Sequence, residues 1–344
     1  HLQHPQINRN KSIQLFKVST KYLGLLPYIK PIIKYIKLER IEGSNFKRIF
    51  EKIYINSTLL KLKTDWIHFG FATMAIDREL VAKAINAKSA VSFRGFDVLI
   101  YPLKYPDCYF KLWKHVDKVH SISKYLLDKG YDLGLSRRVP FKIISPAVDL
   151  TKFIEYPDKK PDTDPLNILT IARLHWIKGI DDLIEAANIL KLKGIEFRWE
   201  IIGGGDQEHL ERFKFHVFQK QLTNEVIFLG KLSHKKTLSR LRACDLYVQT
   251  SLNEGFCNAV LEAQASSKLV VAYNSGALSE NIIDKKTGFL SPKLQPQLLV
   301  EQMLEVINLP IDEKLKIQNN ASQRIREKFS LKQQEKAFEA FYNS

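Results

Sequence analysis

The sequence predicts an α/β protein made of two domains, each with a parallel sheet. Apolar runs of strand length alternate with segments in which apolar residues recur every three or four positions, the spacing of an amphipathic helix. Strands that are apolar along their whole length and separated by helices form sheets buried on both faces. A chain of 344 residues, 45% of them hydrophobic, is long enough for two such cores.

The first domain is predicted to cover residues 1–154. Its expected elements are strands at residues 66–72, 89–93, 116–122 and 141–144 and a helix at 74–87. The first sixty residues are basic, with eleven lysines and arginines against three glutamates, and tyrosine, leucine and isoleucine lie among these cations. Such a mixture suits the face of an anionic bilayer, and a solvated helical insertion with an ordinary apolar face is the alternative.

Residues 155–165 are predicted to link the domains, because they are polar and contain three prolines. The second domain is expected at residues 166–329, followed by a C-terminal helix within 330–344. Its predicted strands are residues 166–172, 197–202, 226–229, 246–250 and 269–273. Its predicted helices start near residues 180, 207, 235, 258 and 278, and two more cover residues 297–309 and 312–329.

Two basic residues, Arg173 and Lys178, follow the first strand of the second domain. Ligands of parallel sheets bind beyond the carboxyl ends of the strands, so loops that follow strands can meet at one site. A guanidinium binds phosphate oxygens through two parallel hydrogen bonds, and an ammonium is a movable point charge. The pair can therefore neutralise a diphosphate without a metal; two solvated loop cations are the simpler alternative.

The glycine run Gly203-Gly204-Gly205 follows the next strand. Glu208 stands where a dinucleotide fingerprint has its third glycine, and the sequence contains no P-loop lysine motif. The run indicates either a tight turn or a place where a ligand approaches the backbone closely, with Gly204 as the candidate contact.

Glu254 and Glu262 follow the fourth strand of this domain, eight positions apart. If that stretch were helical throughout, the two would lie about 12 Å apart, since each residue rises roughly 1.5 Å. Acid–base carboxylate pairs of glycosidases lie only about 5–9.5 Å apart. We therefore expect the two glutamates to hold hydroxyls at two ends of a long ligand, with the N–H groups of the helix start facing phosphate. Two surface glutamates on an ordinary helix are the alternative.

Taken together, these motifs resemble the nucleotide-sugar half of the retaining glycosyltransferases of family 4. The resemblance rests on five motifs in order: R-L-x3-K-G, G-G-G, V-x-F-L-G, E-G-F-x4-L-E-A and G-x3-E. It implies the GT-B fold, in which two Rossmann-like domains face each other across a cleft and the C-terminal helix crosses back to the first domain. The segments SFRGFDV, HSIS and SPAVD are most similar to the colanic-acid or exopolysaccharide type.

The resemblance implies transfer of a sugar from a nucleoside diphosphate sugar with retention of the anomeric configuration. By motif position, Arg173 and Lys178 would hold the diphosphate, Glu262 the ribose hydroxyls, and Glu254 the donor sugar. Arg173, Lys178 and Glu254 are therefore the candidate catalytic residues. The donor-binding candidates of this domain are Gly204, Gly255, Phe256, Cys257, Asn258 and Glu262. No carboxylate is placed to be a covalent nucleophile, which favours front-face attack with a phosphate oxygen taking the acceptor's proton.

Arg94 departs from the family pattern, which commonly has a histidine near the donor sugar at this position. Because a guanidinium stays protonated near neutral pH, Arg94 cannot shuttle a proton. It can offer fixed positive charge to the leaving diphosphate or to a uronic acid donor; a salt bridge to Asp97 is the structural alternative. His68 and Asp97 are the acceptor-side candidates, and His68 is explained as well by a structural role.

The implied partners are a UDP- or GDP-linked sugar, a saccharide or lipid-linked acceptor, and an anionic membrane surface. No metal or cofactor is expected, since the three cysteines lie far apart without metal-ligand spacing. The sequence has no signal peptide and no apolar run of about 18 residues, so we expect a cytoplasmic protein, peripheral on the inner face of the plasma membrane.

Three other classes remain open. A nucleotide-sugar epimerase of the same fold would bind the diphosphate through the same residues but act on the nucleotide sugar without an acceptor. A nucleic-acid binder would explain the net charge of +16, but not two glutamates beside the basic pair. An inactive or truncated nucleotide-sugar-binding fragment is the third, because the chain begins with His1 and no apolar strand with a glycine-rich turn opens it.

Overall fold

A computed structural model describes residues 20–153 and 165–343, and contacts divide the chain into two units. The first unit holds residues up to 122 and residues 126–143; the second holds residues 123–125 and those from 144 onward. Residues 144–153, which the sequence analysis placed in the first domain, thus group with the second unit. All of the expected linker except Pro165 lies outside the described residues, as do the basic residues Arg9, Lys11 and Lys17.

The first unit contains a four-stranded parallel sheet in the order β1-β2-β3-β4. Its strands are β1 (Trp66–Phe69), β2 (Lys88–Phe93), β3 (Lys118–Ser121) and β4 (Phe141–Ile143). Its helices are α1 (Ile29–Ile41), α2 (Phe46–Asn56), α3 (Val81–Ala84), α4 (Tyr101–Lys104), α5 (Phe110–His115) and α6 (Lys124–Asp132), of which the first two residues group with the second unit. All four strands expected from the sequence are present; β1, β3 and β4 are one to three residues shorter than expected, and β2 begins one residue earlier than expected.

The prediction of one helix at residues 74–87 is wrong. A 3-10 turn at Ala72–Ala75 is followed by Asp77 with a φ of 63°, and Asn86 adopts the same left-handed φ after the short helix α3. An α-helix cannot continue through left-handed residues. The apolar periodicity of this stretch reflects the buried sides of two short turns.

A buried carboxylate anchors α1 in the first unit. Glu39 is fully buried and accepts hydrogen bonds from Lys52 of α2 at 3.1 Å and Lys111 of α5 at 2.9 Å. Because two cations face this one carboxylate, removing both would leave an uncompensated buried charge, which is strongly destabilising. The network therefore fixes which face of α1 is turned inward.

The second unit contains a six-stranded sheet whose paired strands are all parallel, in the order β10-β9-β8-β5-β6-β7. Its strands are β5 (Leu166–Ile171), β6 (Phe197–Ile202), β7 (Val226–Gly230), β8 (Leu246–Gln249), β9 (Leu269–Tyr273) and β10 (Phe289–Ser291). The edge strand β10 was not expected from the sequence. The strand order reverses direction between β5 and β8, and ligands of open parallel sheets bind at such a switch point.

Helices cover both faces of this sheet, as the apolar strands require. The helices of the second unit are α7 (Ile180–Leu192), α8 (Gln207–Gln219), α9 (His234–Ala243), α10 (Asn258–Ala265), α11 (Leu278–Asn281), α12 (Pro296–Ile307), α13 (Ile311–Lys328) and α14 (Leu331–Tyr342). Neighbouring residues of β8 point into different cores: Val248 packs with Trp199 on one face and Tyr247 with Val260 on the other.

Candidate functional site

Three loops of the second unit pack backbone to backbone at the carboxyl edge of its sheet. Gly179, between β5 and α7, has a left-handed φ of 63°, and a Cβ at this position would lie 2.0 Å from the carbonyl oxygen of Thr250 after β8. The N–H of Ala277, after β9, donates to the carbonyl oxygen of Glu254 at 2.8 Å. The loops after β5, β8 and β9 therefore meet, as the sequence predicted.

Arg173 and the glycine run lie side by side after β5 and β6. The N–H of Leu174 donates to the carbonyl oxygen of Gly204 at 2.9 Å. Cβ atoms at Gly203 and Gly205 would clash with the backbone of residues 172–174, whereas one at Gly204 would meet its nearest atom only at 3.7 Å. The Arg173 side chain is exposed and forms no hydrogen bond or ion pair with any other described residue. Its guanidinium is available to an anion.

Lys178 forms an ion pair with Glu254, with 2.5 Å between Nζ and Oε1. The lysine belongs to a 3-10 turn at Trp176–Lys178, and its carbonyl oxygen accepts a hydrogen bond from the Thr250 hydroxyl at 3.0 Å. The expectation of a movable charge is thus corrected, because both ends of Lys178 are held. An ammonium has three donors, so two remain for a ligand.

The two oxygens of the Glu254 carboxylate differ. Oε1 accepts hydrogen bonds from Lys178 and from the Ser251 hydroxyl at 2.7 Å, whereas no hydrogen bond from a described residue ends on Oε2, which is not enclosed. The N–H groups of Gly255 and Phe256 likewise donate to no described residue. One acceptor and two donors of the same loop therefore have no hydrogen-bond partner among the described residues, a combination suited to hydroxyl groups.

Cys257 and Phe256 are buried parts of this loop. Burial, with a smaller contribution from Glu254, raises the pKa of the Cys257 thiol to about 12, so it stays protonated near neutral pH. Asn281 brackets the Cys257 backbone, donating to its carbonyl and accepting from its N–H, both at 3.1 Å. The Phe256 ring packs on Phe329, 5.7 Å between centroids. Among residues 254–258, only Asn258, the first residue of α10, has an exposed side chain.

Glu262 lies in the second turn of α10 and has a partner that the sequence analysis missed. Its Oε1 is 3.0 Å from Nε2 of His234, the first residue of α9. His234 follows Ser233, whose side chain caps α9, and that helix-start pattern after a strand is the signal that could have directed attention to it.

Backbone hydrogen bonds hold the carboxylate of Asp97 within the first unit, and an acceptor contact by Asp97 stays a prediction. Its fully buried carboxylate accepts hydrogen bonds from the backbone N–H groups of Arg94, Gly95 and Ala72, at 3.0, 2.9 and 3.2 Å. Burial raises its pKa, while these N–H groups act in the opposite direction. Among the described residues no salt bridge joins Arg94 to Asp97, so that alternative is wrong; the Arg94 guanidinium lies 5.8 Å from the Phe71 ring centre.

His68 belongs to a polar chain across three strands of the first unit. Its Nε2 is 2.9 Å from the Ser92 hydroxyl, which is 2.8 Å from Nδ1 of the buried His120. Burial, with smaller contributions from His120 and Arg94, lowers the pKa of His68 to about 4. The imidazole is therefore neutral near neutral pH, and an acceptor contact by His68 stays a prediction.

Comparison with known proteins identifies the class to which this fold and site belong. The model of the family "Glycosyl transferases group 1" matches residues 152–326, and the chain belongs to this family. The putative colanic acid biosynthesis glycosyltransferase WcaL of Escherichia coli is 27% identical over 271 residues, covering 76% of this chain and 66% of that protein. An uncharacterized glycosyltransferase of Methanocaldococcus jannaschii, MJ1178, is 34% identical over 244 residues, which cover 70% of this chain and 64% of that protein. The chain thus spans just under two thirds of these relatives' length.

Solved structures show the fold. Sucrose-phosphate synthase from Thermosynechococcus elongatus has a TM-score of 0.74 at 18% identity, covering 86% of this chain and 77% of that one. Anabaena HepE in complex with UDP and glucose has a TM-score of 0.72 at 17% identity, covering 84% and 79%. The fold is that of the GT-B glycosyltransferases.

Proposed function

We propose that this chain transfers a sugar from a nucleoside diphosphate sugar to a saccharide or lipid-linked saccharide in polysaccharide biosynthesis. Family membership supports the reaction class, and relatives named for colanic acid and amylovoran biosynthesis support the product class. The HepE structures with UDP and UDP-glucose support a UDP-linked donor, with a GDP-linked donor as the other candidate.

One observation carries the proposal: cations and an open carboxylate oxygen meet at the switch point of the six-stranded sheet. Arg173 has a free guanidinium, and Lys178 is held by Glu254 with two donors unused. Together they offer a diphosphate the unpaired charge of the Arg173 guanidinium and the two unused N–H donors of the Lys178 ammonium, which supports binding without a metal. Oε2 of Glu254 and the N–H groups of Gly255 and Phe256 suit the donor sugar, and Glu262 suits the ribose hydroxyls.

Retention is proposed to follow from front-face attack. The charge of Glu254 is already compensated by Lys178 and by the Ser251 hydroxyl, which makes its carboxylate a weak nucleophile. The incoming hydroxyl would then pass its proton to a phosphate oxygen of the departing diphosphate. Arg173 and Lys178 would stabilise the charge that grows on this leaving group, and such preorganised electrostatics is usually the largest catalytic contribution.

Calorimetric binding of UDP, GDP and ADP in the presence of chelator tests this proposal. We expect one nucleotide to bind, and binding to be lost in Arg173→Ala/Lys178→Ala. Lys332→Ala/Lys336→Ala removes the same charge from exposed positions of α14 and is expected to bind as wild type. Binding to none of the nucleotides by wild type, or equal loss in both double variants, would refute the donor site.

We also propose that the chain lies on an anionic membrane surface through α1. The exposed residues of this helix are all aliphatic or cationic: Ile29, Lys30, Ile33, Lys34, Lys37, Arg40 and Ile41. Its one acidic residue, Glu39, is turned inward to Lys52 and Lys111. Aliphatic side chains can enter the headgroup region while the cations meet lipid phosphates. Among the described residues, no helix combines the length and apolarity that crossing a bilayer requires.

A further inference from the structure

A buried chain of hydrogen bonds runs along β8 and ends on Glu254. The Tyr247 hydroxyl donates to Oε1 of Gln249 at 2.6 Å, Nε2 of Gln249 donates to the Ser251 hydroxyl at 2.8 Å, and that hydroxyl donates to Oε1 of Glu254 at 2.7 Å. Tyr247, Gln249 and Ser251 are each at most 1% exposed. Tyr247 and Gln249 are two apart on β8 and therefore lie on the same side of the strand. Ser251 follows two residues beyond the carboxyl end of the strand and continues the series to Glu254.

The direction of this chain is set by its last member. A carboxylate can only accept, so Ser251 must donate its one hydroxyl proton to Glu254 and accept from the Gln249 amide. The amide oxygen of Gln249 is then left for the Tyr247 hydroxyl. One arrangement satisfies every group, and the chain has a single orientation that begins in the core and ends at the site.

Packing alone does not explain these polar side chains. Tyr247 belongs to a buried hydrophobic cluster that includes Leu169, Val260 and Val270. A buried polar group costs free energy unless it is hydrogen-bonded, and an apolar residue would fill Gln249's position without that requirement. A fully satisfied polar chain that reaches one carboxylate therefore points to a role at that carboxylate.

We propose that Tyr247, Gln249 and Ser251 are positioning residues that orient Glu254 for the donor sugar. Ser251 and Lys178 both bind Oε1, and this leaves Oε2 open. Without the Ser251 hydroxyl, the carboxylate can rotate and share both oxygens with the Lys178 ammonium, so the oxygen meant for sugar hydroxyls is lost. This inference rests on the proposed function, because it assigns Glu254 to the donor sugar.

The test separates nucleotide binding from sugar recognition in the full chain. For wild type and Ser251→Ala, calorimetry would give affinities for a nucleotide sugar (UDP-glucose, UDP-glucuronic acid or GDP-mannose, whichever wild type binds) and for its free nucleotide. We expect free-nucleotide affinity within about twofold of wild type. The ratio of nucleotide-sugar to free-nucleotide affinity should fall about tenfold, since a hydrogen bond to a charged group is lost.

Further variants test whether the effect on the affinity ratio decreases with distance from Glu254 along the series of hydrogen bonds. Gln249→Leu and then Tyr247→Phe should lower the ratio progressively less, and Ser251→Thr, which keeps a hydroxyl, should restore it. Tyr247→Phe removes one hydroxyl without opening a cavity. Its affinity ratio can therefore still be measured if a larger change prevents folding. Thr170→Val is the matched control: the buried Thr170 hydroxyl bonds the Val248 carbonyl at 2.7 Å and the Trp199 N–H at 3.1 Å in the same sheet, without a link to Glu254.

Each outcome decides the matter. If the ratio of nucleotide-sugar to free-nucleotide affinity in Ser251→Ala equals that of wild type, the positioning role is overturned and the proposed function stands. The same holds if the ratio falls equally in Thr170→Val. Failure of wild type to bind any nucleotide or nucleotide sugar refutes the proposed function itself, and the inference falls with it.

Discussion

At the scale of single residues, the Lys178–Glu254 pair links stability to chemistry. Both side chains are mostly buried, with 17% and 9% of their surfaces exposed. A mostly buried pair loses more when one partner is removed than when both are neutralised, because a lone buried charge remains. The pair can therefore be probed by separating its structural contribution from its contribution to turnover.

We expect Lys178→Ala to lower turnover about ten- to a hundredfold, because a hydrogen bond to a charged group contributes roughly 1.5–3 kcal/mol. The same variant should lower the free energy of unfolding, since Glu254 loses its cation. Lys178→Ala/Glu254→Gln should recover that stability without recovering turnover. Steady-state kinetics and urea unfolding measure the two quantities, and near-normal turnover in the single variant would remove Lys178 from the mechanism.

The neutral state of His68 gives a pH-dependent contribution to stability. Its pKa in the folded chain is about 4, below the usual 6.5, so the unfolded chain binds the proton more readily between these values. The contribution of His68 to the free energy of unfolding should therefore be fully present above about pH 6.5. It should decrease by about 2–3 kcal/mol as the pH falls towards 4. Urea unfolding of wild type and His68→Gln at several pH values measures it. Parallel stability curves for the two proteins would contradict this assignment.

The sequence predicts the site residues that carry charge better than the residues that hold them. Each charged site candidate follows a strand and stands at a motif position: Arg173, Lys178, Glu254 and Glu262. Because parallel strands end at the same edge of a sheet, the sequence alone predicts that these residues lie at one edge. Gln249 is the last residue of the apolar strand β8, and its partners lie two residues away on either side: Tyr247 within the strand and Ser251 beyond its end. No pattern in one sequence distinguishes that amide from an ordinary strand residue, because its role depends on the three-dimensional path of the chain.

At the scale of elements, the exposed face of α1 should determine binding to lipid. Lys30→Gln/Lys34→Gln/Lys37→Gln is expected to weaken binding to vesicles of mixed anionic and zwitterionic lipid about a hundredfold, at about 1 kcal/mol per lysine. Ile29→Ser/Ile33→Ser should weaken it as well, since less apolar surface enters the headgroups. Co-sedimentation at two salt concentrations would measure both effects.

The control for this experiment removes the same charge elsewhere. Lys316→Gln/Lys328→Gln/Lys336→Gln lies on exposed positions of α13 and α14 and is expected to bind vesicles as wild type does. Equal losses in the two triple variants would mean that net charge, rather than α1, attracts the lipid. Binding of wild type to purely zwitterionic vesicles would argue against the cations.

Elements with strong periodicity were predicted well, and short ones were not. The helices α7, α8 and α10 begin where the apolar spacing begins, and all strands of the first unit appear. The helix expected at residues 74–87 fails at Asp77 and Asn86, whose backbones are left-handed and which no apolar periodicity marks. The edge strand β10 is only three residues long, too short for alternation to be visible.

At the scale of the whole molecule, positive charge is concentrated on particular elements rather than spread uniformly. The chain carries a net charge of +16, and α1 gathers four exposed cations on one face. In the second unit, the site cations Arg173 and Lys178 lie at a sheet edge that also holds Glu254 and Glu262. A nucleic-acid surface would be expected to lack such carboxylates, which favours a compact anionic ligand with hydroxyl groups.

The close packing of the site loops changes how mutational tolerance should be interpreted. Gly179 and Gly203 abut carbonyl oxygens of neighbouring loops, so alanine would be rejected there whether or not a ligand ever binds. Gly204 has room for a methyl group in the unliganded chain. In a saturation screen, intolerance at Gly179 would report on folding, whereas intolerance at Gly204 would outline the ligand itself.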